Sequence, residues 1–323
     1  MNIIKQILVK WSLPLSKFVR SGWAMLFPIW YGSYVYMKVN YKKVNLKDPK
    51  EYSEKVHWLK IYSDTTQWTR LADKYKVREY VTQCGLEHIL GRLHGVWERA
   101  EDIDFSKLPD KFVLKTNQGY GRNLLVMDKS QLDIDHTRRL LNKWVKERVG
   151  LLSFEPHYWN IERRIIAEEF LEDHSDGGIS SSLIDYKFFC FHGEPEIVVI
   201  MYDRQNKTVG PEVEKKGPKV KDMAFDLDWT PRQDIFRNMD QREDFVLIPK
   251  PKHLDDMIKV CRILSKSFPQ VRVDLYEVNH KIYFGELTFT SGGGGEIFTP
   301  EYYLDLGNKI DLSRVKRRIK RLI

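Results

Sequence analysis

The chain has 323 residues, of which 42% are hydrophobic and 30% are charged, and it carries 9 Trp, 16 Tyr and 16 Phe. This composition excludes bulk disorder, collagen-like repeats and a polytopic membrane architecture. A chain of this length predicts two lobes with appendages, since one domain usually takes about 100 to 200 residues. Three widely separated cysteines, Cys84, Cys190 and Cys261, exclude a disulfide framework and a CxxC metal knuckle, and they fit a reducing cytosol.

The net charge of +8 is concentrated at the two ends of the chain. Residues 1–47 contain eight Lys and Arg and no acid, and residues 311–323 contain six Lys and Arg and one acid. Subtracting +8 and +5 for these ends leaves about −5 for residues 48–310. This distribution favours ends that touch an anionic surface, and it argues against a basic cleft that binds nucleic acid.

Residues 1–44 are predicted to form amphipathic helices, because their apolar residues recur at helical spacing with basic residues between them. The stretch 21–37 carries no charge, but it is short for a bilayer span and is interrupted by Gly22, Pro28 and Gly32. Two interpretations stay open: a membrane-associating anchor with aromatic side chains at the interface, and helices packed on the protein's own core. The apolar positions are Ile3, Ile4, Ile7, Leu8, Trp11, Leu15, Phe18, Val19, Trp23 and Leu26.

Helices and strands are predicted to alternate along the rest of the chain, which indicates an α+β or α/β class with two lobes. Residues 45–110 are typical of a mostly helical region, clearest at 72–81, and residues 203–249 are polar and loop-rich. Residues 311–323 predict a basic amphipathic helix, for which a second surface contact and a solvated end both stay open. The other predicted elements are strands at 111–115, 123–127, 164–171, 185–192 and 196–202, a hairpin at 271–290, and helices at 132–148 and 254–267.

A glycine-rich turn follows the predicted strand that ends at Lys115. Gly119 and Gly121 begin like a dinucleotide-binding fingerprint, but its third glycine is missing and a strand follows instead of a helix. The chain also lacks the sequence patterns of P-loop NTPases, zincins and α/β-hydrolases. A Lys beside a glycine turn can bind phosphates, because glycine exposes backbone amides and the ammonium group neutralises phosphate charge. An ordinary hairpin turn gives the same pattern.

Polar side chains alternate along the last predicted hairpin. Strand periodicity places Arg272 and Asp274 on one face, and it places Glu286 and Thr288 on one face of the partner strand. Two carboxylates and a hydroxyl on neighbouring strands suit Mg²⁺, which prefers oxygen ligands and takes its remaining ligands from water and phosphates. A cross-strand Arg–carboxylate pair on a solvated face is the alternative.

Between about residues 45 and 307 the chain contains a series of single residues and longer sequence stretches whose order along the chain is informative. The residues are Lys74, Lys115 with its glycine turn, Glu168, Glu169, Phe170, Leu171, Lys187, Arg272, Asp274, Glu286 and Thr288. The stretches are NLKDPKEYSEKVHWLKIY, LADKYKVREYV, LPDKFVLKTNQGYGRN, RIIAEEFLED, DYKFFCFHGEPE, FPQVRVDLYEV and KIYFGELTFTSGGGG. The residues resemble the ATP-grasp nucleotide site, and the stretches resemble the TupA-like ATP-grasp family, which is associated with teichuronopeptide and other surface-polysaccharide biosynthesis.

The resemblance implies that the chain binds ATP between its lobes. The implied phosphate contacts are Lys74, Lys115 and Lys187. The turn that contains Gly119 and Gly121 would close over the phosphates, and Glu168 would hold the adenine amino group. The backbone of Glu169 and Leu171 would complete the adenine contacts.

The resemblance also implies a Mg²⁺ site and two catalytic residues. Asp274, Glu286 and Thr288 would bind the metal. Many ATP-grasp enzymes carry an Asn in the place of Thr288, and a hydroxyl is a weaker ligand than an amide carbonyl, so the number of metals stays open. Arg272 would stabilise the charge that develops on an acyl-phosphate and its tetrahedral successor, and Lys187 would stabilise the charge of the transferred phosphoryl group.

The domain organisation implied is an ATP-grasp fold in which two α+β lobes enclose ATP. Amphipathic, membrane-associating helices occupy 1–44, a helical region 45–110, and the first lobe with the glycine-rich loop 111–180. The second lobe with the metal site occupies 181–310, and the basic C-terminal helix 311–323.

The activity implied is that of an ADP-forming carboxylate–amine ligase in capsular, O-antigen or teichuronopeptide-type polysaccharide biosynthesis. It would join a uronic acid carboxylate of a glycan or lipid-linked precursor to an amino acid or amine, in the cytoplasm at the inner face of the membrane. Two alternatives stay open: a glycan-modifying phosphotransferase or glycosyltransferase of the same pathway, and a non-catalytic ATP-binding assembly factor at the membrane surface.

Overall fold

A computed structural model of the chain describes residues 17–175, 178–203, 221–237, 247–295 and 297–318. The described α-helices are α1 (Lys17–Leu26), α2 (Pro28–Asn40), α3 (Tyr52–Tyr62), α4 (Thr66–Leu71), α5 (Val77–Gln83), α6 (Ile134–Lys146), α7 (Leu254–Ser265) and α8 (Pro300–Asn308). The described strands are β1 (Leu93–Trp97), β2 (Phe112–Thr116), β3 (Asn123–Val126), β4 (Ile165–Glu169), β5 (Asp185–Phe191), β6 (Glu194–Tyr202), β7 (Lys221–Phe225), β8 (Val271–Val278) and β9 (Lys281–Thr288). The mixed helix and strand content confirms the predicted class.

The strands form two antiparallel sheets. The strand order is β1-β4-β2-β3 in the first sheet and β7-β6-β5-β8-β9 in the second. The pairs β2–β3, β5–β6 and β8–β9 are antiparallel hairpins, and the last confirms the hairpin predicted over 271–290. Asn279 and His280 turn the last hairpin with φ of 49° and 62°, the conformation that a two-residue hairpin turn requires. Edge strand β7 was not predicted, because it lies within residues 203–249, which their polar composition marks as loop-rich.

The main core lies behind the second sheet. Phe188, Val273 and Leu275 point to this face and are fully buried in one cluster with Met257 and Leu264 of α7. Each such side chain stabilises the fold by about 1.5–3 kcal/mol relative to exposure. Because side chains alternate along a strand, this burial fixes the opposite face as the one that carries the polar residues of the hairpin.

Helix α6 covers the first sheet. It begins where the Asp133 carboxylate accepts a hydrogen bond from the His136 backbone N–H, which satisfies one of the open donors of the first turn. Leu141 and Trp144 are buried in a second cluster with Phe112 and other residues of the sheet. The prediction of a helix over 132–148 is confirmed with slightly narrower bounds.

Two parts of region 45–110 differ from the helical prediction. Residues 72–76 form turns, because the Asp73 carboxylate accepts hydrogen bonds from the backbone N–H groups of Tyr75 and Lys76. Such local side-chain bonds compete with helix formation, and α5 begins only after them. The strand β1 lies at the edge of the first sheet, and its five residues are all half-buried, so no alternation marks it in the sequence.

Helices α1 and α2 occupy the described part of the N-terminal region, whereas residues 1–16 lie outside it. Tyr31 and Val35 of α2 are buried against Phe154, and the Tyr31 hydroxyl donates to the Leu152 carbonyl at 3.2 Å. Part of this region therefore packs on the protein's own core. No helix of the described residues combines the length and hydropathy that a bilayer span requires.

The described part of the C-terminal segment is not the predicted basic helix. Residues 312–314 form a single 3₁₀ turn, and Arg317 pairs with Ser63 in an isolated β-bridge. Arg318 donates to the Ser63 carbonyl at 3.1 Å. These tertiary hydrogen bonds replace those that a helix would make. Residues 319–323 lie outside the described residues.

The loop that follows β9 is held from behind by two buried side chains. Lys60 of α3, which is 1% exposed, donates to the Gly293 carbonyl at 2.5 Å. Asn40 of α2 donates to the Gly294 carbonyl at 3.2 Å. Two helices from the N-terminal third of the chain thus fix the position of loop 290–295 through its carbonyl groups.

Burial disfavours the charged form of the Lys60 side chain. It lowers the pKa of Lys60 from 10.5 to about 8, against partial opposition from the Glu155 carboxylate. Glu155 is itself buried and accepts a hydrogen bond from the Thr290 hydroxyl at 2.5 Å. A lysine in this environment disfavours its charged form, because it gives up hydration on folding.

Replacing Gly307 by Ala is expected to destabilise the protein by about 1–3 kcal/mol. A methyl group at this helical position would overlap the Lys50 carbonyl oxygen and lie 2.9 Å from the Tyr52 backbone nitrogen. Thermal unfolding measures the effect. Gly22→Ala is the control, because a methyl group there has no atom within 4 Å; equal melting temperatures for Gly307→Ala and wild type would contradict the packing described here.

Lys60→Met is expected to change how stability depends on pH. Between about pH 8 and 10.5 the unfolded chain keeps the Lys60 proton while the folded chain releases it, so wild-type stability rises with pH across this window. The variant lacks this contribution, and wild type should gain about 3 kcal/mol relative to it. Urea unfolding across the window measures the difference, with exposed Lys43→Met as the control. Parallel pH profiles for wild type and Lys60→Met would refute the assignment.

Candidate active site

A cleft of about 770 Å³ lies between the two sheets and is lined by one face of each. The lining residues of the first sheet include Val113, Lys115, Asn123, Leu125 and Glu168. Those of the second sheet include Asp185, Lys187, Arg272, Asp274 and Glu286. The structure therefore brings the predicted nucleotide and metal residues of both lobes, except Thr288, to one cleft.

Lys115 and Glu168 form an ion pair on the first-sheet wall of the cleft. Glu168 lies opposite Val113 in the β2–β4 register, so alternation points its side chain to the same face as Lys115. Both side chains are 19% exposed. The carboxylate predicted to hold adenine thus binds the lysine predicted to hold phosphate.

The glycine turn between β2 and β3 is anchored by Lys74. The Lys74 ammonium donates to the Gly119 carbonyl at 2.5 Å and lies 3.8 Å from a carboxylate oxygen of Glu286. Burial lowers the pKa of Lys74, and the Glu286 charge partly opposes this shift. Gly119 and Gly121 have φ of 70° and 68°, a conformation that favours glycine. Lys74 therefore links the turn of the first lobe to a carboxylate of the second.

The predicted adenine contacts differ in their surroundings. The Glu169 backbone N–H donates to the Arg92 carbonyl at 2.9 Å, and the Glu169 carboxylate accepts from the Arg92 N–H at 3.0 Å. Leu171 follows β4 and lines the cleft. A nucleotide contact through the Glu169 N–H would have to displace Arg92, whereas Leu171 lies beyond the paired part of the strand.

Lys187 and Asp274 face each other across β5 and β8. They are register partners, and the Lys187 ammonium donates to the Asp274 carboxylate at 2.6 Å. It also donates to Asp185 at 2.7 Å. Their side chains are at most 8% exposed, so this group of charges is buried in the floor of the cleft.

Arg272 completes the charge network from the same strand as Asp274. Its guanidinium binds both carboxylate oxygens of Asp274 at 2.7 Å and donates to the Thr288 hydroxyl at 3.0 Å. It also lies 3.3 Å from Glu286. The Arg–carboxylate pair considered in the sequence analysis thus exists, but it is buried in the cleft and not on a solvated face.

The network shifts the pKa of both partners. Burial by itself disfavours the charged form of Asp274, but the Arg272 and Lys187 charges outweigh it and hold the pKa of Asp274 well below its usual value. Burial opposes the charge of Arg272 as well, and the Asp274 carboxylate outweighs it and raises the pKa of Arg272. Both groups therefore stay ionised at physiological pH.

Two of the three predicted metal ligands, Asp274 and Glu286, fit Mg²⁺ through their chemistry. Asp274 and Glu286 are register partners on β8 and β9, and Glu286 is 37% exposed toward the cleft. The Thr288 hydroxyl donates to Glu286 at 2.9 Å instead of lining the cleft. Within the described ranges, no three His, Cys, Asp or Glu side chains converge on one point. Mg²⁺ needs few protein carboxylates, since water and phosphates supply the rest, so Glu286 with Asp274 would hold it.

Two residues of the site were not predicted from the sequence. Asp185 is the second carboxylate on Lys187, and the Ser291 hydroxyl accepts a hydrogen bond from Arg272 at 2.8 Å. The i, i+2 spacing of Asp185 and Lys187 on a predicted strand was a usable signal for a shared face. No sequence pattern marks Ser291, because its position depends on the loop after β9.

The part of the chain that forms the cleft is also the part that matches a known protein family. The profile of the TupA-like ATP-grasp family matches residues 54–311. No curated protein matches the sequence.

Several solved ligases are similar in structure. D-alanine–D-alanine ligase from Bacillus anthracis is 15% identical, with 77% of this chain and 69% of that chain covered and a TM-score of 0.45. L-amino acid ligase from Bacillus licheniformis is 15% identical, with 71% and 45% covered and a TM-score of 0.42. Phosphoribosylamine–glycine ligase from Thermotoga maritima is 11% identical, with 80% and 59% covered and a TM-score of 0.44.

The family match begins in α3 and ends just after α8, so it includes both sheets and every residue of the cleft discussed above. It covers well over half of the chain. The protein therefore belongs to the TupA-like ATP-grasp family, and its two-sheet α+β architecture is the ATP-grasp fold.

Proposed function

We propose that this protein is an ADP-forming ligase that joins a carboxylate to an amine at the expense of ATP. The carboxylate belongs to a uronic acid of a surface glycan or of its lipid-linked precursor, and the amine belongs to an amino acid or related compound. The protein acts in the cytoplasm at the inner face of the membrane. Membership of the TupA-like ATP-grasp family supports the use of ATP. The polysaccharide context is part of the proposal and comes from the family resemblance of the quoted sequence stretches.

One observation carries the ligase proposal: cations from both lobes and two carboxylates meet in a single cleft. The cations are Lys74, Lys115, Lys187 and Arg272, and the carboxylates that face each other in register are Asp274 and Glu286. A nucleotide triphosphate needs cations for its phosphate charge and carboxylates for its metal. Bound Mg²⁺ would supply charge neutralisation to the phosphates.

The reaction needs no side-chain nucleophile. A carboxylate oxygen of the acceptor attacks the γ-phosphorus, the bond to the β-phosphate oxygen breaks, and ADP leaves. The amine nitrogen then attacks the acyl carbon, inorganic phosphate departs with the C–O electron pair, and the amine gives up a proton. We assign to Arg272 and Lys187 the stabilisation of negative charge on the transferred group. Their hydrogen bonds to Asp274, which fix both cations in the cleft floor, support this assignment.

Turnover is expected to require both an acceptor carboxylate and an amine. The measurement is ADP and phosphate release by the full chain with Mg-ATP, a panel of uronic-acid glycosides and a panel of amines, followed by mass spectrometry of the acceptor. The acceptor should gain the mass of the amine minus water. If a phosphorylated acceptor forms without amine, the protein is a phosphotransferase and the ligase proposal is wrong. If ATP binds tightly but no lipid-linked or soluble acceptor supports turnover, the protein is an assembly factor and the ligase proposal is again wrong.

Glu286→Gln is expected to lower kcat by roughly 100-fold or more while the fold is retained. The substitution removes the more exposed of the two carboxylates but keeps its size. Asp255→Asn, an exposed acid on α7, is the matched control and should leave the rate unchanged. Circular dichroism and thermal unfolding report the fold, and wild-type turnover by Glu286→Gln would eliminate this residue as a metal ligand.

A further inference from the structure

Large apolar side chains are exposed together at the corner between α1 and α2. Leu26 is 72% exposed, Phe27 60%, Ile29 48% and Trp30 55%. We call these four residues the apolar corner. Single exposed hydrophobic residues are normal on a protein surface, but a contiguous group marks an interaction site. No other stretch of the described residues exposes four such side chains within five positions.

Aromatic contacts of α1 and α2 fix the position of the apolar corner. Trp30 stacks on Tyr34 with 5.9 Å between ring centroids, and it forms a T-shaped pair with Trp23 with 5.2 Å between ring centroids. On the inner side, Tyr31 packs against Phe154 at 6.4 Å. One side of α2 is therefore built into the core, and the same packing presents the corner outward.

The charge of the N-terminal sequence favours an anionic partner for the corner. Residues 1–47 carry eight Lys and Arg and no Asp or Glu. Lys38, on the same helix, is exposed and lies 5.7 Å from the Tyr34 ring centre. Anionic headgroups attract such cations, while Trp and other apolar side chains enter the interface. A second copy of the chain would instead bring two basic regions together, and like charges repel.

Helix α2 connects the corner to the cleft. Its thirteen residues extend over about 20 Å from Pro28 to Asn40. At the far end, Asn40 donates to the Gly294 carbonyl at 3.2 Å. Ser291 and Gly292 of the same loop line the cleft.

We infer that the apolar corner is a docking surface for a bilayer that contains anionic lipids, and that it positions the loop side of the cleft about one helix length from the headgroups. This inference rests on the proposed function for the choice of the membrane as the place of action. Vesicle binding and ADP release are separate measurements, so either can fail alone.

Co-sedimentation of the full chain with lipid vesicles tests the inference. Wild type should bind vesicles of phosphatidylcholine mixed with phosphatidylglycerol more tightly than vesicles of phosphatidylcholine alone, and added salt should weaken the binding. Phe27→Glu combined with Trp30→Glu should weaken binding to the mixed vesicles at least about tenfold. The matched control is Leu247→Glu combined with Leu304→Glu, which places the same charges at exposed apolar positions elsewhere and should bind like wild type.

Three results would overturn the inference. They are absence of binding to the mixed vesicles, equal binding by wild type and the corner variant, and equal loss of binding by the control. Light scattering tests whether a second copy of the chain binds the corner instead. If wild type does not bind vesicles and is a dimer, and the corner variant is a monomer, then the corner is a dimer interface. Leu26→Glu combined with Ile29→Glu gives an independent variant if the first one unfolds. ADP release with a soluble acceptor should be unchanged in both corner variants.

Discussion

The buried contact between Lys187 and Asp274 is the constraint on which the second lobe depends. Burying an isolated charge is very costly, and a buried pair is tolerated only when hydrogen bonds satisfy both partners. Asp274 meets this condition through Lys187 across the strands and Arg272 along its own strand. A shift of β5 by one residue would turn Lys187 into the apolar core and put Phe188 in the cleft. The network thus specifies the strand register and at the same time sets the electrostatics of the cleft.

The cations of the cleft are also bound by protein acceptors, which bears on how a nucleotide would enter. Lys115 pairs with Glu168, and Lys74 donates to the Gly119 carbonyl. A phosphate that binds these lysines exchanges one anionic or polar partner for another. Such an exchange gives less net affinity than the capture of a solvated cation, but it keeps each ammonium group fixed in position, which favours alignment of the transferred group.

Much of the second lobe was predictable because it depends on local periodicity. The alternation of Arg272 and Asp274 followed directly from strand geometry, and the hairpin over 271–290 was predicted from the same periodicity. The pairing of β5 with β8 was not predictable in this way, because it joins residues far apart in the sequence: Lys187 and Asp274 are separated by 87 positions. The family resemblance supplied Lys187, whereas the loop position of Ser291 and the edge strand β1 had no local pattern to reveal them. The turn at Asp73 was missed because one side-chain hydrogen-bond acceptor outweighed a helical pattern.

The contact between α3 and α8 has a consequence for the order in which the chain folds. Lys55 of α3 donates to the carbonyl groups of Gly307 and Ile310, both at 2.8 Å, and Tyr52 stacks on Tyr303 at 6.1 Å. These partners are about 250 residues apart, so an apolar side of α3 leaves the ribosome long before its cover is synthesised. Completion of the second lobe therefore waits for α8, and a nascent chain that ends before α8 would expose the apolar side of α3 beside a folded sheet.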